Sequence, residues 1–186
     1  SPENDKYILY EECVPGYTID ELFKKGTQFS KKFVIKMATA LCNILKPIHN
    51  DNLIHRDISP NNVMYSQIED KFYLIDFGNS RLNKINTPKD TVFAGTPIFM
   101  APEQGGVGTQ SDNRTDIYAI GMLMKFMLTK NTTDKKSKIR GRLGKIIKKC
   151  TQSEMASRYK NVDKLKFKLS MIKVDDFLFE SVRKSL

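Results

Sequence analysis

Two acidic side chains nineteen positions apart, Asp57 and Asp76, each sit in a short, chemically distinctive run: His55-Arg56-Asp57-Ile58-Ser59-Pro60-Asn61-Asn62, and Asp76-Phe77-Gly78. Asn62 adds a third oxygen-bearing tip. Carboxylate and amide oxygens are hard donors of the kind that hold Mg²⁺ together with waters and phosphate oxygens. A carboxylate within reach of a hydroxyl can also take its proton. A third run, Gly95-Thr96-Pro97, leads into Met100-Ala101-Pro102-Glu103 and puts a glutamate 27 residues after Asp76.

The flanking elements must bring these tips together. Val63–Tyr65 and Phe72–Ile75 are short β-like runs around a polar turn. They leave Asp57 and Asn62 on the loop before the first strand and Asp76 just after the second, so three polar tips meet at one edge. Upstream, Tyr7–Tyr10 reads as a strand running into a connector at Pro15-Gly16. Thr18 and Glu21 form a capping box that starts a short helix. Ser30 caps a longer one whose Val34, Met37, Ala38, Leu41, Ile44, Leu45 and Ile48 recur at three-or-four spacing, with a distortion expected at Pro47 in its last turn. Downstream, Asn79–Phe93 is polar and aperiodic, which predicts a mobile loop. Asp116–Met127 has little polar face and predicts a central buried helix. Helices over about Leu143–Cys150 and Val162–Ile172 close the chain.

The three runs together resemble the eukaryotic-type protein kinases, in which an HRDxxxxN loop precedes a DFG triplet and an APE triplet closes the activation segment. The resemblance implies a mainly α fold with a few short strands: the large C-terminal lobe, with residues 1–14 as the end of a strand and the hinge, and 15–186 as the lobe. Its catalytic loop would span 55–62 and its activation segment 76–103. The implied chemistry is transfer of the terminal phosphoryl group of ATP to a protein hydroxyl. In that scheme Asp57 orients the acceptor and takes its proton, while Asp76 and Asn62 hold Mg²⁺. The hinge would offer the backbone carbonyl of Glu12 and the N–H of Val14 to the adenine, with Met64 beneath the ring; Tyr10 or Glu11 would stand at the gatekeeper position.

Other matches to the family imply scaffold and control. His55 packs, Phe77 couples the metal loop to the opposite lobe, Glu103 and Arg158 form a buried ion pair, and Asp116 braces the catalytic loop through backbone amides. Arg56 is of the type that pairs with a phosphorylated residue of the activation segment; Thr87 and Thr91 are the candidates. Thr96 resembles the threonine that hydrogen-bonds the catalytic aspartate in serine/threonine kinases, and favours Ser/Thr over Tyr as acceptor.

Departures from the pattern qualify this. Ser59 replaces the lysine that serine/threonine kinases place two residues after the catalytic aspartate, which weakens charge stabilisation at the phosphate. The glycine-rich loop, the phosphate-pairing lysine and its glutamate partner are absent before Tyr7. The expectation is a fragment of a larger kinase, lacking the small N-lobe and inactive by itself. A pseudokinase or regulatory nucleotide-binding module is the alternative, and a small-molecule kinase is disfavoured by the Gly95–Glu103 segment.

The bulk properties fit. A chain of 186 residues, 40% hydrophobic, can bury one core. Three cysteines, Cys13, Cys42 and Cys150, fit neither a disulfide framework nor a zinc site; they are expected to be buried small hydrophobes in a reducing, cytoplasmic setting. No apolar stretch is long enough to span a bilayer, and no membrane anchor is visible. The net charge is +10, and nine Lys or Arg against Asp134 fall within residues 130–149. This run stands where the family usually has a further docking helix. It lacks interleaved aromatics, so a solvated basic surface is expected, without nucleic acid as a partner.

Overall fold

The computed structural model describes residues 13–82, 96–105, 110–129 and 139–172. Helices dominate among them, with a few short strands. The order is β1 (Tyr17–Thr18), α1 (Ile19–Lys24), α2 (Lys31–Asn50), β2 (Leu53–Ile54), β3 (Val63–Ser66), β4 (Lys71–Leu74), β5 (Arg81–Leu82), α3 (Asn113–Thr129), α4 (Gly141–Cys150) and α5 (Val162–Ser170), with 3₁₀ turns at Pro102–Gly105 and Met155–Ser157.

Local chemistry starts the first two helices. The Thr18 hydroxyl accepts from Glu21 N–H at 3.1 Å while Thr18 N–H donates to the Glu21 carboxylate at 2.8 Å. Ser30 Oγ accepts from Phe33 N–H at 3.1 Å. Each cap satisfies a backbone donor that the first turn of a helix leaves open. Helix α2 then runs unbroken past Pro47 to Asn50, because a proline so near the end removes only one late hydrogen bond. It buries Val34, Met37, Ala38, Leu41, Cys42 and Leu45.

That stripe packs against α3 and α5. On α3, Ile117, Ile120, Leu123 and Met124 are fully buried. Withdrawing each such side chain from water contributes about 1.5–3 kcal/mol, so α3 is the axis of the core. Gly121 lets α4 approach it: a Cβ there would lie 2.5 Å from that of Cys150.

The strands form a three-stranded antiparallel sheet in the order β1-β3-β4 and a separate β2-β5 pair. Three of these, β1, β2 and β5, were not legible as strands. β1 falls where a connector was expected, and its close approach needs Gly16, whose Cβ would meet Tyr65 O at 2.5 Å. β5 interrupts the polar stretch read as a loop from Asn79, its Arg81 pairing with Ile54. Cys42 and Cys150 are buried, and burial pushes the Cys42 thiol up to about 12. Cys13 is exposed, against expectation: it lies before β1, outside any helix or strand among the described residues. The expected strand Tyr7–Tyr10 and residues 130–138 of the basic run lie outside the described residues; the rest of that run belongs largely to α4.

Candidate functional site

The loop between β2 and β3 is built around a buried carboxylate. Asp116, in the first turn of α3 and wholly inaccessible, accepts from the backbone N–H of His55 at 3.0 Å and of Arg56 at 2.8 Å. His49 Nε2 from α2 faces the same carboxylate at 2.7 Å. Arg56 is held at φ +70°, a left-handed conformation that costs a non-glycine residue about 1–3 kcal/mol and persists only when surrounding contacts over-determine it. Gln104 supplies another such contact: its amide donates to Arg56 O at 2.7 Å and accepts from Ala101 N–H at 2.9 Å.

With the chain bent in this way, Asp57 emerges half-buried at the site. Its Oδ1 accepts from Thr96 twice, from backbone N–H and from Oγ1, both at 2.9 Å. Its Oδ2 accepts from Asn79 Nδ2 at 3.1 Å. Asn62 closes the loop by donating from Nδ2 to Asp57 O at 2.9 Å, which leaves its amide oxygen outside that bond. Asn62 O in turn accepts from Ile75 N–H at 2.9 Å, so the residue before Asp76 is tied to Asn62. Asp76 is exposed, takes φ +62°, and accepts from Gly78 N–H at 3.0 Å. The three oxygen-bearing residues therefore share one edge, where the loop between β2 and β3 meets the end of β4.

Among the described residues no group of three His, Cys, Asp or Glu makes a self-contained metal cage. One carboxylate and one amide oxygen nevertheless fit Mg²⁺, an ion that keeps several waters and takes its remaining ligands from phosphate oxygens.

His55 is buried with its ring edge-on to Phe77 at 4.7 Å between centroids. Burial lowers its pKa, against the opposing pull of Asp116, Asp57 and Asp76. Phe77 is 42% exposed. Burial likewise works against the Arg56 cation, and the neighbouring positive charge of Arg81 adds to it. Ser59 is fully buried, and its hydroxyl has no hydrogen-bond partner among the described residues. Its side chain is thus turned inward, away from solvent.

Glu103 and Arg158 form a buried bidentate pair at 2.6 and 2.8 Å. Thr115 Oγ1 donates to Glu103, and Arg158 donates further to the carbonyls of Arg114, Gln152 and Ser153. Together these ties fasten the 3₁₀ turn at Pro102–Gly105 to the start of α3 and to the α4–α5 connection.

Met64 is half-buried on β3 between Thr18 and Tyr73. Val14 is half-buried two residues before the point where Gly16 abuts β3. Glu12, Tyr10, Glu11, Thr87 and Thr91 lie outside the described residues. Reading the sequence missed Asn79, Gln104 and His49. Asn79 and Gln104 do stand next to recognised motifs, but nothing in residue type or spacing marks their partners.

The family model described as the protein kinase domain matches residues 2–179. The chain belongs to the protein kinase family. Serine/threonine-protein kinase B of Synechocystis sp. is 26% identical over 97% of this chain and 35% of its own length. Serine/threonine-protein kinase C of the same organism is 30% identical over 70% of this chain and 25% of its own length. Serine/threonine-protein kinase KIC1 of Saccharomyces cerevisiae is 34% identical over 67% and 11%. The chain thus spans well under half the length of these relatives.

Proposed function

We propose that these residues are the large lobe of a serine/threonine protein kinase that transfers the terminal phosphoryl group of ATP to a protein hydroxyl. The observation that carries the reading is the double donation from Thr96 to Asp57, made while Asn62 holds the same residue from behind. The carboxylate is thereby fixed in one orientation, which is what positioning an acceptor hydroxyl requires. In this reading Asp57 aligns the hydroxyl and receives its proton. Asp76 and Asn62 would hold Mg²⁺, which when bound neutralises charge on the phosphate oxygens. Thr96 and the names of the relatives both favour Ser or Thr as acceptor.

The hinge roles of Glu12 and Val14, with Met64 under the adenine, belong to the same proposal. So does control by phosphorylation of Thr87 or Thr91: Arg56 and Arg81 are close enough for their like charges to oppose each other, and a phosphate between them would relieve that opposition through charge-assisted hydrogen bonds.

The 186 residues contain no glycine-rich phosphate loop with a paired lysine and glutamate. Turnover therefore depends on those parts being supplied from the rest of a longer protein, and the 186 residues alone are expected to be inactive. The test is phosphate transfer to a protein substrate by the full-length protein with ATP and Mg²⁺. Abolition by Asp57→Asn, with nucleotide binding kept, supports the reading. Turnover that survives the substitution rejects it, and nucleotide binding without any turnover in the unaltered protein favours a regulatory module.

A further inference from the structure

Helices α4 and α5 carry a charge imbalance that the site does not use. Within residues 139–172 seven lysines and three arginines face two acids, Glu154 and Asp163. Arg158 is consumed by Glu103, and Asp163 is engaged by Lys46 of α2 at 3.0 Å.

The remaining cations are ordered by the helices. On α4, Arg142, Lys145, Lys148 and Lys149 are exposed and occupy about 120° of its circumference, opposite the arc of Leu143, Ile146, Ile147 and Cys150 that is buried. On α5, Lys164 and Lys168 stand one turn apart on the solvent side, away from buried Val162, Leu165 and Leu169. The two faces are continuous, because Arg142 Nη1 donates to Met171 O at 3.3 Å.

A cationic surface kept for solubility has no need of exposed apolar side chains, yet this one has two. Phe167 is 58% exposed and Met171 50%. Lys168 lies against both, its Nζ 5.7 Å from the Phe167 ring centroid and 4.0 Å from Met171 Sδ.

We propose that this α4–α5 face is a peripheral docking surface for an anionic lipid bilayer. Charge complementarity selects an anionic partner. The exposed faces are dominated by lysine, a hydrated point charge with rotatable donors, rather than by the planar arginine fork that fixes a carboxylate or phosphate in one geometry. Such a field suits a fluid sheet of headgroups. Phe167 and Met171 then enter the interface beneath the headgroups, where the phosphates of a nucleic acid would give them no apolar contact. No helix among the described residues is long and apolar enough to cross a membrane, so the contact lies on the surface. The proposal rests on this face alone and is independent of the phosphoryl-transfer reading.

The test is co-sedimentation of the protein with vesicles of phosphatidylcholine alone and of phosphatidylcholine mixed with phosphatidylserine. Binding is expected to the mixed vesicles only, weakening as salt is raised. It should fall at least about tenfold in Arg142→Glu/Lys145→Glu/Lys149→Glu and clearly in Phe167→Ser, a change at an exposed position, with the variant's thermal unfolding compared with the parent's. A charge-matched control at exposed sites elsewhere, Lys31→Glu/Lys32→Glu/Lys71→Glu, should bind as the parent does. Absence of binding overturns the proposal. So does equal loss in the control, equal retention of duplex DNA with indifference to Phe167, or binding confined to an acidic peptide.

Discussion

Asp116 holds Arg56 by its backbone: the buried carboxylate accepts from Arg56 N–H at 2.8 Å while that residue sits at φ +70°. The same carboxylate serves His55 N–H, so one side chain satisfies two buried donors and sustains a strained turn. Asp116→Ala would strand both, at about 1–3 kcal/mol for each unsatisfied buried group. Asp116→Asn keeps one acceptor oxygen and should cost less. Urea denaturation of the two variants checks the order; equal stability of Asp116→Ala and the parent would deny that this carboxylate braces the loop.

Glu103 and Arg158 are a second buried support, and their energetics are asymmetric. Two charges removed from water gain little net stability as a pair, but either one left alone is strongly unfavourable. Glu103→Gln and Arg158→Met are each expected to lose about 3–5 kcal/mol. The double variant should lose less than the sum, because no uncompensated charge remains. A double-mutant cycle on thermal or urea unfolding measures the coupling.

These supports differ in how far they could be read in advance. The long helices were legible because apolar spacing is itself a physical demand: the face of α2 and the near-uniform burial of α3 follow from residues a turn apart. Thr18, Glu21 and Ser30 were legible because a cap is a contact between near neighbours. The two-residue strands β1, β2 and β5 were not, since two residues carry no period. The inward turn of Ser59 was also hidden. In sequence it reads as a lost phosphate contact; in the structure its position is walled off, and Ser59→Ala removes a buried hydroxyl that has no partner among the described residues. Asn79 and Gln104 escaped for a related reason: their partners, Asp57 and Arg56 O, lie 22 and 48 residues away, and only the folded turn brings them near.

His55 should make stability depend on pH on the acid side. Its pKa is lowered in the folded state, chiefly by burial, so between that value and the unfolded one, about 6.5, the unfolded chain binds more protons. Stability therefore rises with pH through this window and is fully present above it. The contribution is lost as pH falls below about 6.5 and levels off once the folded state also protonates. His55→Phe, which keeps a ring against Phe77, should flatten this slope. Unfolding free energies compared at a series of pH values for the two proteins give the answer, and parallel curves would assign the slope to other groups.

Thr96 offers the sharpest separation between holding a fold and aligning a reaction. Its backbone N–H and its hydroxyl both donate to Asp57 Oδ1 at 2.9 Å. Thr96→Val removes one of the two and leaves the shape almost unchanged. A hydrogen bond to a charged group contributes about 1.5–3 kcal/mol, so if it orients Asp57 during transfer, kcat in the full-length protein should fall roughly 10- to 100-fold. Thr96→Ser restores the donor and should restore most of the rate. Nucleotide affinity should stay the same in both, because neither Asp76 nor Asn62 touches this hydroxyl. A loss of rate with unchanged nucleotide binding, rescued by serine, fits orientation of the acceptor. A loss of both together would instead mean that Thr96 stabilises the loop as a whole.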